Sequence, residues 1–263
     1  MATDPPALAA GPAGRAYEDD GITGVTFPSG GCRLLGTLFL ARGAKPGPTA
    51  LLLHGCPGLQ QNGDLAVALR DHGWNSLVFH YRGCWGSGGG YDLRTVPADV
   101  TAAVDHLAAG GYPAVDPGRL AVIGHSLGGW AALLAAAGDP RLRAVAVYGS
   151  AVRLGALGSA ADDAVEQEFT RFLALSAAEF RAQAAQAAHF DVFGAAAAIA
   201  PRPLLIVHGS ADQWVPAEQA RLLASRAREP ARYVEVDGAG HDFAWHRGRL
   251  RGLLTGWLDE TRI

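Results

Sequence analysis

A serine between glycines is the first candidate for chemistry in this sequence. It lies in the segment GHSLG (124–128), directly after an apolar stretch and directly before a helix-like stretch rich in small residues. A sharp turn from strand to helix lifts such a serine hydroxyl above a sheet and points the helix N-terminus at it, which favours developing negative charge. Because 35 of the 263 residues are glycine, this setting, rather than the pattern by itself, makes Ser126 a candidate nucleophile.

A histidine and an aspartate follow that could activate this serine. His241 lies in the glycine-containing loop DGAGHDF (237–243), after the last strand-like stretch, and could take the serine proton. Asp212 follows another apolar stretch, in HGSADQWVP (208–216), and could orient the imidazole and stabilise its charged form. An isolated aspartate at such a place would more often be a turn or helix-cap residue. Three strand ends that carry serine, aspartate and histidine in turn favour the catalytic interpretation.

Two backbone amides are candidates for an oxyanion hole, the pair of N–H donors that stabilises the negative oxygen of an acyl-transfer intermediate. They are the amide of Leu127 and the amide of Cys56 in the turn HGCPG (54–58), where Pro57 has no N–H to donate. The Cys56 thiol is an alternative nucleophile, but it lacks the strand-to-helix turn of Ser126. Three aromatic residues near these segments are predicted to line the substrate pocket: Trp85, Trp214 and Phe243.

The loop YRGCWGSGG (81–89) is rich enough in glycine to suggest a phosphate-binding loop. No lysine follows the glycines, and the segment does not match the P-loop pattern. We expect Arg82 to form a structural salt bridge. Alternatively, it could pair with an acid of the insertion described below or with a substrate carboxylate.

The elements that would position these residues follow a regular alternation. Short apolar stretches alternate with helix-length segments, which predicts a mostly parallel sheet with helices on both faces. Two β-like stretches joined by SGG (29–31) predict an antiparallel hairpin at its start. The expected fold class is therefore α/β, with about eight strands. Strands are expected at 22–28, 34–41, 49–54, 76–81, 119–124, 144–149, 203–209 and 232–237, and helices near 65–73, 97–109, 127–137, 216–228 and 246–260.

Residues 151–200 interrupt this alternation and are predicted to form a small helical insertion within a single domain, residues 21–263. Ser176 and Glu179 have the spacing of a capping box, which marks the start of a helix. The insertion is either a helical pair on the surface or a lid. We expect a lid, because ligands of open α/β sheets bind outside the carboxyl ends of the strands. Residues 1–20, rich in Pro, Gly, Ala and acidic residues, are expected to be a flexible leader.

The composition argues against several classes of function. The net charge is −3 and Lys45 is the only lysine, so no basic patch indicates nucleic acid or an anionic membrane as a partner. No apolar run reaches the roughly 18 residues of a membrane span, and the N-terminus lacks the regions of a signal peptide. Three widely spaced cysteines predict reduced thiols and, with the rest, a cytoplasmic location. No clustered ligand motif predicts a metal or a cofactor.

In their order along the chain, HGCPG, YRGCWGSGG, GHSLGG, HGSADQWVP and GAGHDF resemble the motifs of α/β-hydrolase fold serine hydrolases. They are most similar to the small branch near prolyl-oligopeptidase-type and dienelactone-hydrolase-type enzymes, over residues 22–260. The resemblance implies a triad of Ser126, Asp212 and His241 in the family's chain order, with the two amides named above as oxyanion donors. The dienelactone branch often has a cysteine nucleophile, so the serine here favours esterase or peptidase chemistry.

These features predict a serine hydrolase that acts through an acyl-enzyme on small carboxylic esters. A peptidase for short peptides is the second interpretation, and a thioesterase or acyltransferase the third. A hydrolase fold that binds a partner without catalysis is the alternative from another class, and the intact triad argues against it. The oligomeric state stays open. Four acids of the insertion would favour the peptidase if they pointed inward to bind a free amine: Asp162, Asp163, Glu166 and Glu168.

Overall fold

The computed structural model describes residues 21–43, 46–58, 62–154 and 169–263. These residues form eight strands, seven α-helices and two short 3₁₀ helices, Leu93–Thr95 and Ala244–His246. The strands are β1 (Ile22–Ser29), β2 (Cys32–Phe39), β3 (Gly47–Leu53), β4 (Asn75–Phe79), β5 (Val115–His125), β6 (Leu142–Tyr148), β7 (Leu204–Gly209) and β8 (Ala231–Val236). The helices are α1 (Gly63–Asp71), α2 (Val96–Ala108), α3 (Leu127–Gly138), α4 (Ala177–Ala187), α5 (Val192–Ala198), α6 (Ala217–Arg226) and α7 (Arg247–Thr261).

All eight strands join one sheet in the order β1-β2-β4-β3-β5-β6-β7-β8. β1 and β2 form an antiparallel hairpin, and β2 pairs antiparallel with β4. The remaining neighbours are parallel. The predicted α/β class, the opening hairpin and the mostly parallel sheet are confirmed. β3, β4, β5, β7 and β8 therefore end at the same edge of the sheet, where the candidate residues follow them.

Alternate residues of the central strands face two separate hydrophobic clusters. Leu51 and Leu53 belong to the cluster that contains the buried residues of α2, α3 and α6. Leu52, between them, belongs to the cluster that contains the buried residues of α1 and α7. Because both faces of the sheet are covered, strands such as β4 and β7 are buried along their whole length. This three-layer packing holds the strand ends rigidly enough to position a site.

In the inserted region the structure confirms the predicted start of one helix and contains another helix that was not predicted. α4 begins at a capping box, in which Ser176 Oγ accepts from the Glu179 amide and the Glu179 carboxylate accepts from the Ser176 amide. α5 was not predicted, and its start is marked by Asp191, whose side chain accepts from the amide of Gly194 over 2.8 Å. The predicted leader, residues 1–20, and residues 155–168 of the insertion lie outside the described residues.

The described helices are all too short or too polar to cross a membrane.

Candidate active site

Ser126 links β5 to α3. Its backbone has a φ of 53° and a ψ of −117°, and residues other than glycine rarely adopt a positive φ. The Ser126 amide donates to the carbonyl of Tyr148 over 3.1 Å. A Cβ at Gly124 would collide with the carbonyl of Gly128, and a Cβ at Gly128 would lie 2.6 Å from the carbonyl oxygen of His54. The glycines of GHSLG thus allow strand and helix to meet closely, as the sequence predicts.

The HGCPG turn lies directly against this serine. A Cβ built at Gly55 would be 3.0 Å from Ser126 Cβ, so glycine at this position allows the close approach. Cys56 follows on the same turn. Leu127 is the first residue of α3, where the amide has no carbonyl partner within the helix. The structure therefore brings the two segments that carry the predicted oxyanion amides to Ser126.

Asp212 and His241 form a hydrogen-bonded pair across two loops. His241 Nδ1 donates to Asp212 Oδ2 over 2.8 Å, because a carboxylate can only accept. Asp212 Oδ1 accepts from the amides of Trp214 and Val215, each at 2.9 Å. Burial acts to raise the pKa of Asp212, but hydrogen bonds from His208 and His241 outweigh it and hold the pKa well below its usual range. Asp212 is therefore ionised at neutral pH, and the Nε2 atom of His241 is left to act as a base.

His241 is held beside the serine turn by His125, the residue before Ser126. His125 Nε2 donates to the His241 carbonyl over 3.1 Å, and the two imidazole rings lie 4.9 Å apart between centroids. Burial, and next the neighbouring His241, lowers the pKa of His125 well below its usual range, so this ring is neutral. No role for His125 was predicted from the sequence. Its signal was its place next to Ser126, at the end of a buried strand.

Residues 66–260, which include Ser126, Asp212 and His241, match the prolyl oligopeptidase family. The chain belongs to that family. An uncharacterized protein of Mycobacterium tuberculosis is 31% identical over 215 residues, which cover 81% of this chain and 69% of that protein. Esterase LipC of the same organism is 32% identical over 169 residues, or 58% of this chain and 40% of LipC.

The fold of this prolyl oligopeptidase family member is the α/β-hydrolase fold. The solved structure of an α/β hydrolase from a Penicillium species superposes on it with a TM-score of 0.72 at 22% sequence identity, over 91% of this chain and 97% of that one. The esterase domain of a Rhodothermus marinus protein, a solved structure, superposes on it with a TM-score of 0.68 at 26% sequence identity. The superposition covers 90% of this chain and 97% of that domain. The resemblance inferred from the motifs is confirmed at the level of family and fold.

Two of the three predicted pocket residues border the surface around this site. Trp85 and Trp214 are 38% and 40% exposed. Trp85 donates from Nε1 to the Pro57 carbonyl over 3.0 Å, which ties it to the HGCPG turn. Trp214 lies edge-on to Phe169 at 5.5 Å between ring centroids, and Phe172 packs on Trp85 at 6.1 Å. The part of the insertion at 169–172 therefore contacts both tryptophans.

Phe243, the third predicted pocket residue, has no exposed surface. Its ring packs edge-on against Tyr148, 5.8 Å away between centroids, within the hydrophobic cluster beneath the sheet. The loop after His241 turns inward there, with a φ of 55° at Phe243. The structure places Phe243 in the core, where it cannot line a pocket. The four acids linked to a peptidase, at 162, 163, 166 and 168, lie outside the described residues.

A cleft of about 260 Å³ lies on the exposed side of His241. Trp214, Asp242 and the almost fully exposed Trp245 form part of its wall. Among the described residues, His125, His241 and Asp242 bring possible metal-ligand atoms within 4.8 Å of one another. Both imidazoles already use a ring nitrogen in a hydrogen bond. A cation there would have to take the lone pair of the other ring nitrogen of His241, Nε2.

Arg82 forms a salt bridge inside the protein, and none of the three cysteines is in a disulfide. Arg82 Nε donates to Asp99 Oδ1 over 2.6 Å, so the predicted structural salt bridge is confirmed. All three cysteines are free thiols, and the Cys56 thiol is directed at the Phe169 carbonyl, 3.8 Å away.

Proposed function

We propose that the protein is a serine hydrolase that cleaves carboxylic esters through an acyl-enzyme intermediate. Ser126 Oγ attacks the ester carbonyl carbon while His241 Nε2 takes the hydroxyl proton, which forms a tetrahedral oxyanion. The intermediate collapses to an acyl-Ser126 ester, and His241 gives the proton to the departing alkoxide. A water molecule, deprotonated by His241, then attacks the acyl-enzyme carbonyl. Collapse of this second tetrahedral intermediate releases the carboxylic acid, and His241 returns the proton to Ser126 Oγ.

The hydrogen bond between Asp212 and His241 is the observation that carries this proposal. The two residues come from different loops, 29 positions apart, and the bond leaves His241 with its Nε2 lone pair free. The ionised Asp212 stabilises the imidazolium that forms when Ser126 loses its proton. The neighbouring His125 keeps this pair at the serine turn.

The oxyanion would be bound by the amides of Leu127 and Cys56. The N-terminus of α3 adds its dipole at the same place, since Leu127 is its first residue. Loss of one such donor in other hydrolases costs roughly 3 kcal/mol of transition-state stabilisation. The segment 169–172, together with α4 and α5, would serve as a lid, which its contacts with Trp85, Trp214 and Cys56 support.

Esters are favoured over peptides by the names of two similar proteins, esterase LipC and the Rhodothermus marinus esterase domain. The family name points instead to oligopeptide cleavage, so a serine peptidase is the second candidate. Thioester hydrolysis or acyl transfer would use the same atoms. All of these share the acyl-Ser126 step.

The first test is covalent labelling with a fluorophosphonate, which reacts with activated serines. We expect the wild-type protein to be labelled and Ser126→Ala to be unlabelled. Ser225→Ala is a matched control, because Ser225 lies exposed on α6 and its hydroxyl donates to the Leu222 carbonyl of the same helix. Folded wild-type protein that takes up no label would rule out the hydrolase.

The second test separates the substrate classes. p-Nitrophenyl esters of increasing acyl length and aminoacyl-naphthylamides are offered to the same enzyme preparation. We expect turnover of the short esters at a higher kcat/KM than of any amide. Faster turnover of an aminoacyl-naphthylamide would favour the peptidase.

A further inference from the structure

A second histidine contacts the carboxylate of Asp212. His208 lies near the end of β7 and has no exposed surface. Its Nε2 atom is 2.8 Å from the Val215 carbonyl oxygen and 3.3 Å from Asp212 Oδ2. A carbonyl and a carboxylate can only accept hydrogen bonds, so this nitrogen must carry a proton and donate it.

The other ring nitrogen of His208 fixes the tautomer. His208 Nδ1 is buried and has no hydrogen-bond partner among the described residues. A proton on Nδ1 would be buried without an acceptor, which is costly. The ring is therefore held with a single proton on Nε2, shared between Val215 and Asp212.

The Asp212 carboxylate is thus fixed from both sides. Oδ1 accepts the amides of Trp214 and Val215, and Oδ2 accepts His241 at 2.8 Å and His208 at 3.3 Å. We propose that His208 is a positioning residue of this site. Its Nε2–H orients the Asp212 carboxylate toward His241 Nδ1 and offsets part of the negative charge that His241 meets. This inference rests on the proposed function, in that Asp212 and His241 are taken as the acid and base of the hydrolase.

Several other charged groups lie around the two histidines, and none of them is altered by the substitutions used below. Glu235 of β8 is opposite His208 in the sheet, and its carboxylate is bound by Arg221 of α6 and by the Tyr233 hydroxyl. His125 and Asp242 lie near His241 on its other side, Arg247 lies near His125, and His246 borders the same cleft as His241.

Removal of the His208 donor has two expected effects. The carboxylate of Asp212 is less well oriented, so kcat falls while KM, which reflects the substrate pocket, changes little. The carboxylate also carries a more concentrated negative charge, which stabilises the protonated form of His241. The acid limb of the kcat/KM profile therefore moves to higher pH.

Two substitutions separate this role from a purely structural one. In His208→Gln the amide Nε2 is as many bonds from Cα as His Nε2, so it can donate to the same two acceptors. His208→Phe keeps a planar ring and has no donor. His106→Phe is the matched control, because His106 likewise hydrogen-bonds a side chain, that of Tyr112, but lies on α2 away from the site.

For p-nitrophenyl ester hydrolysis we expect His208→Phe to lower kcat about 10- to 100-fold, the range for a hydrogen bond to a charged group. Its acid limb should move to higher pH. His208→Gln should recover most of kcat and the wild-type limb, and His106→Phe should match the wild type. If His208→Phe retains the wild-type kcat and acid limb, or if His208→Gln is equally impaired with an unmoved limb, the positioning role is wrong.

A proton NMR measurement tests the same inference without turnover. The proton between His241 Nδ1 and Asp212 Oδ2 should give a strongly downfield resonance that Asp212→Asn removes. This resonance should move in His208→Phe and stay in place in His208→Gln; an unmoved resonance in both would overturn the proposal. If His208→Phe does not fold, His208→Asn replaces it, since its amide reaches only the Nδ1 position. The resonance depends on Asp212, His241 and His208 and not on the reactivity of Ser126. Failure of fluorophosphonate labelling would therefore refute the hydrolase without changing the outcome of this NMR test.

Discussion

Arg82 and Asp99 form a buried ion pair that joins the glycine-rich loop after β4 to α2. Arg82 Nε and the Arg82 amide donate to the two oxygens of Asp99, at 2.6 and 3.0 Å. Ser29 Oγ donates to the same carboxylate over 2.6 Å, and Arg82 also donates to the Thr95 carbonyl. The Asp99 side chain is fully buried and that of Arg82 is 15% exposed.

Asp99→Ala should destabilise the protein strongly, because it leaves the buried Arg82 guanidinium without its counter-charge. Loss of one partner of a buried pair costs about 3–5 kcal/mol in the free energy of unfolding. Urea unfolding at pH 7 measures this. Glu260→Ala is the control, since its pair with Arg232 is exposed at the surface, and its midpoint should hardly move. A similar small shift in both variants would contradict the prediction.

Gly128→Ala should destabilise the serine turn. Its Cβ would lie 2.6 Å from the carbonyl oxygens of Leu53 and His54, which are backbone atoms that cannot move aside easily. Overpacking of this kind costs about 1–3 kcal/mol and sometimes more. Gly252→Ala in α7 is the control, where a Cβ meets open space and should stabilise the helix by up to about 1 kcal/mol. The two melting temperatures should shift in opposite directions; a tolerated alanine at 128 would show that the turn has room to spare.

His54 should make the protein less stable as the pH falls. Burial lowers the pKa of His54 from 6.5 to about 4, although the hydrogen bond to the Gly55 carbonyl opposes this, and the nearby His80 lowers it further. Below pH 6.5 the unfolded chain binds a proton that the folded protein does not bind until about pH 4. The contribution of neutral His54 to the free energy of unfolding is therefore fully present above pH 6.5 and is lost as the pH falls from 6.5 to 4.

The variant His54→Asn isolates this contribution. Its amide nitrogen can replace Nδ1 as donor to Gly55, and it does not titrate. Between pH 7 and 4.5 the wild type should lose about 2–3 kcal/mol more unfolding free energy than His54→Asn, from the difference between the two pKa values. The control His189→Asn changes an exposed histidine and should follow the wild type. Parallel curves for wild type and His54→Asn would disprove the role of His54.

The Cys56 thiol should be unreactive in the folded protein. Burial raises its pKa to about 12, although the nearby Tyr91 hydroxyl opposes the rise, and burial also raises the pKa of Cys84. Both thiols are therefore protonated at neutral pH and are poor nucleophiles. Iodoacetamide at pH 7.5, followed by mass spectrometry, should modify the half-buried Cys32 first. Rapid alkylation of Cys56 would instead support a thiolate and reopen its use as a nucleophile.

The eight strands were predictable because apolar stretches bounded by glycine and polar residues are local features of the chain. The limits of β5 could not be predicted from such local features. The predicted strand begins at residue 119, yet β5 begins at Val115, which pairs with Gly47 before the register shifts to Thr49 and Leu120. That pairing depends on a strand nearly 70 positions earlier, so no local pattern contains it.

The sequence by itself determined which residues follow the strand ends, and so it identified Ser126, Asp212 and His241 as candidates. The tertiary structure decided how they meet. The Asp212–His241 hydrogen bond, the support from His125 and the burial of Phe243 depend on the order of the strands and the paths of the loops. These contacts join segments far apart in the chain, and their geometry exists only once the two hydrophobic layers have fixed the sheet between them.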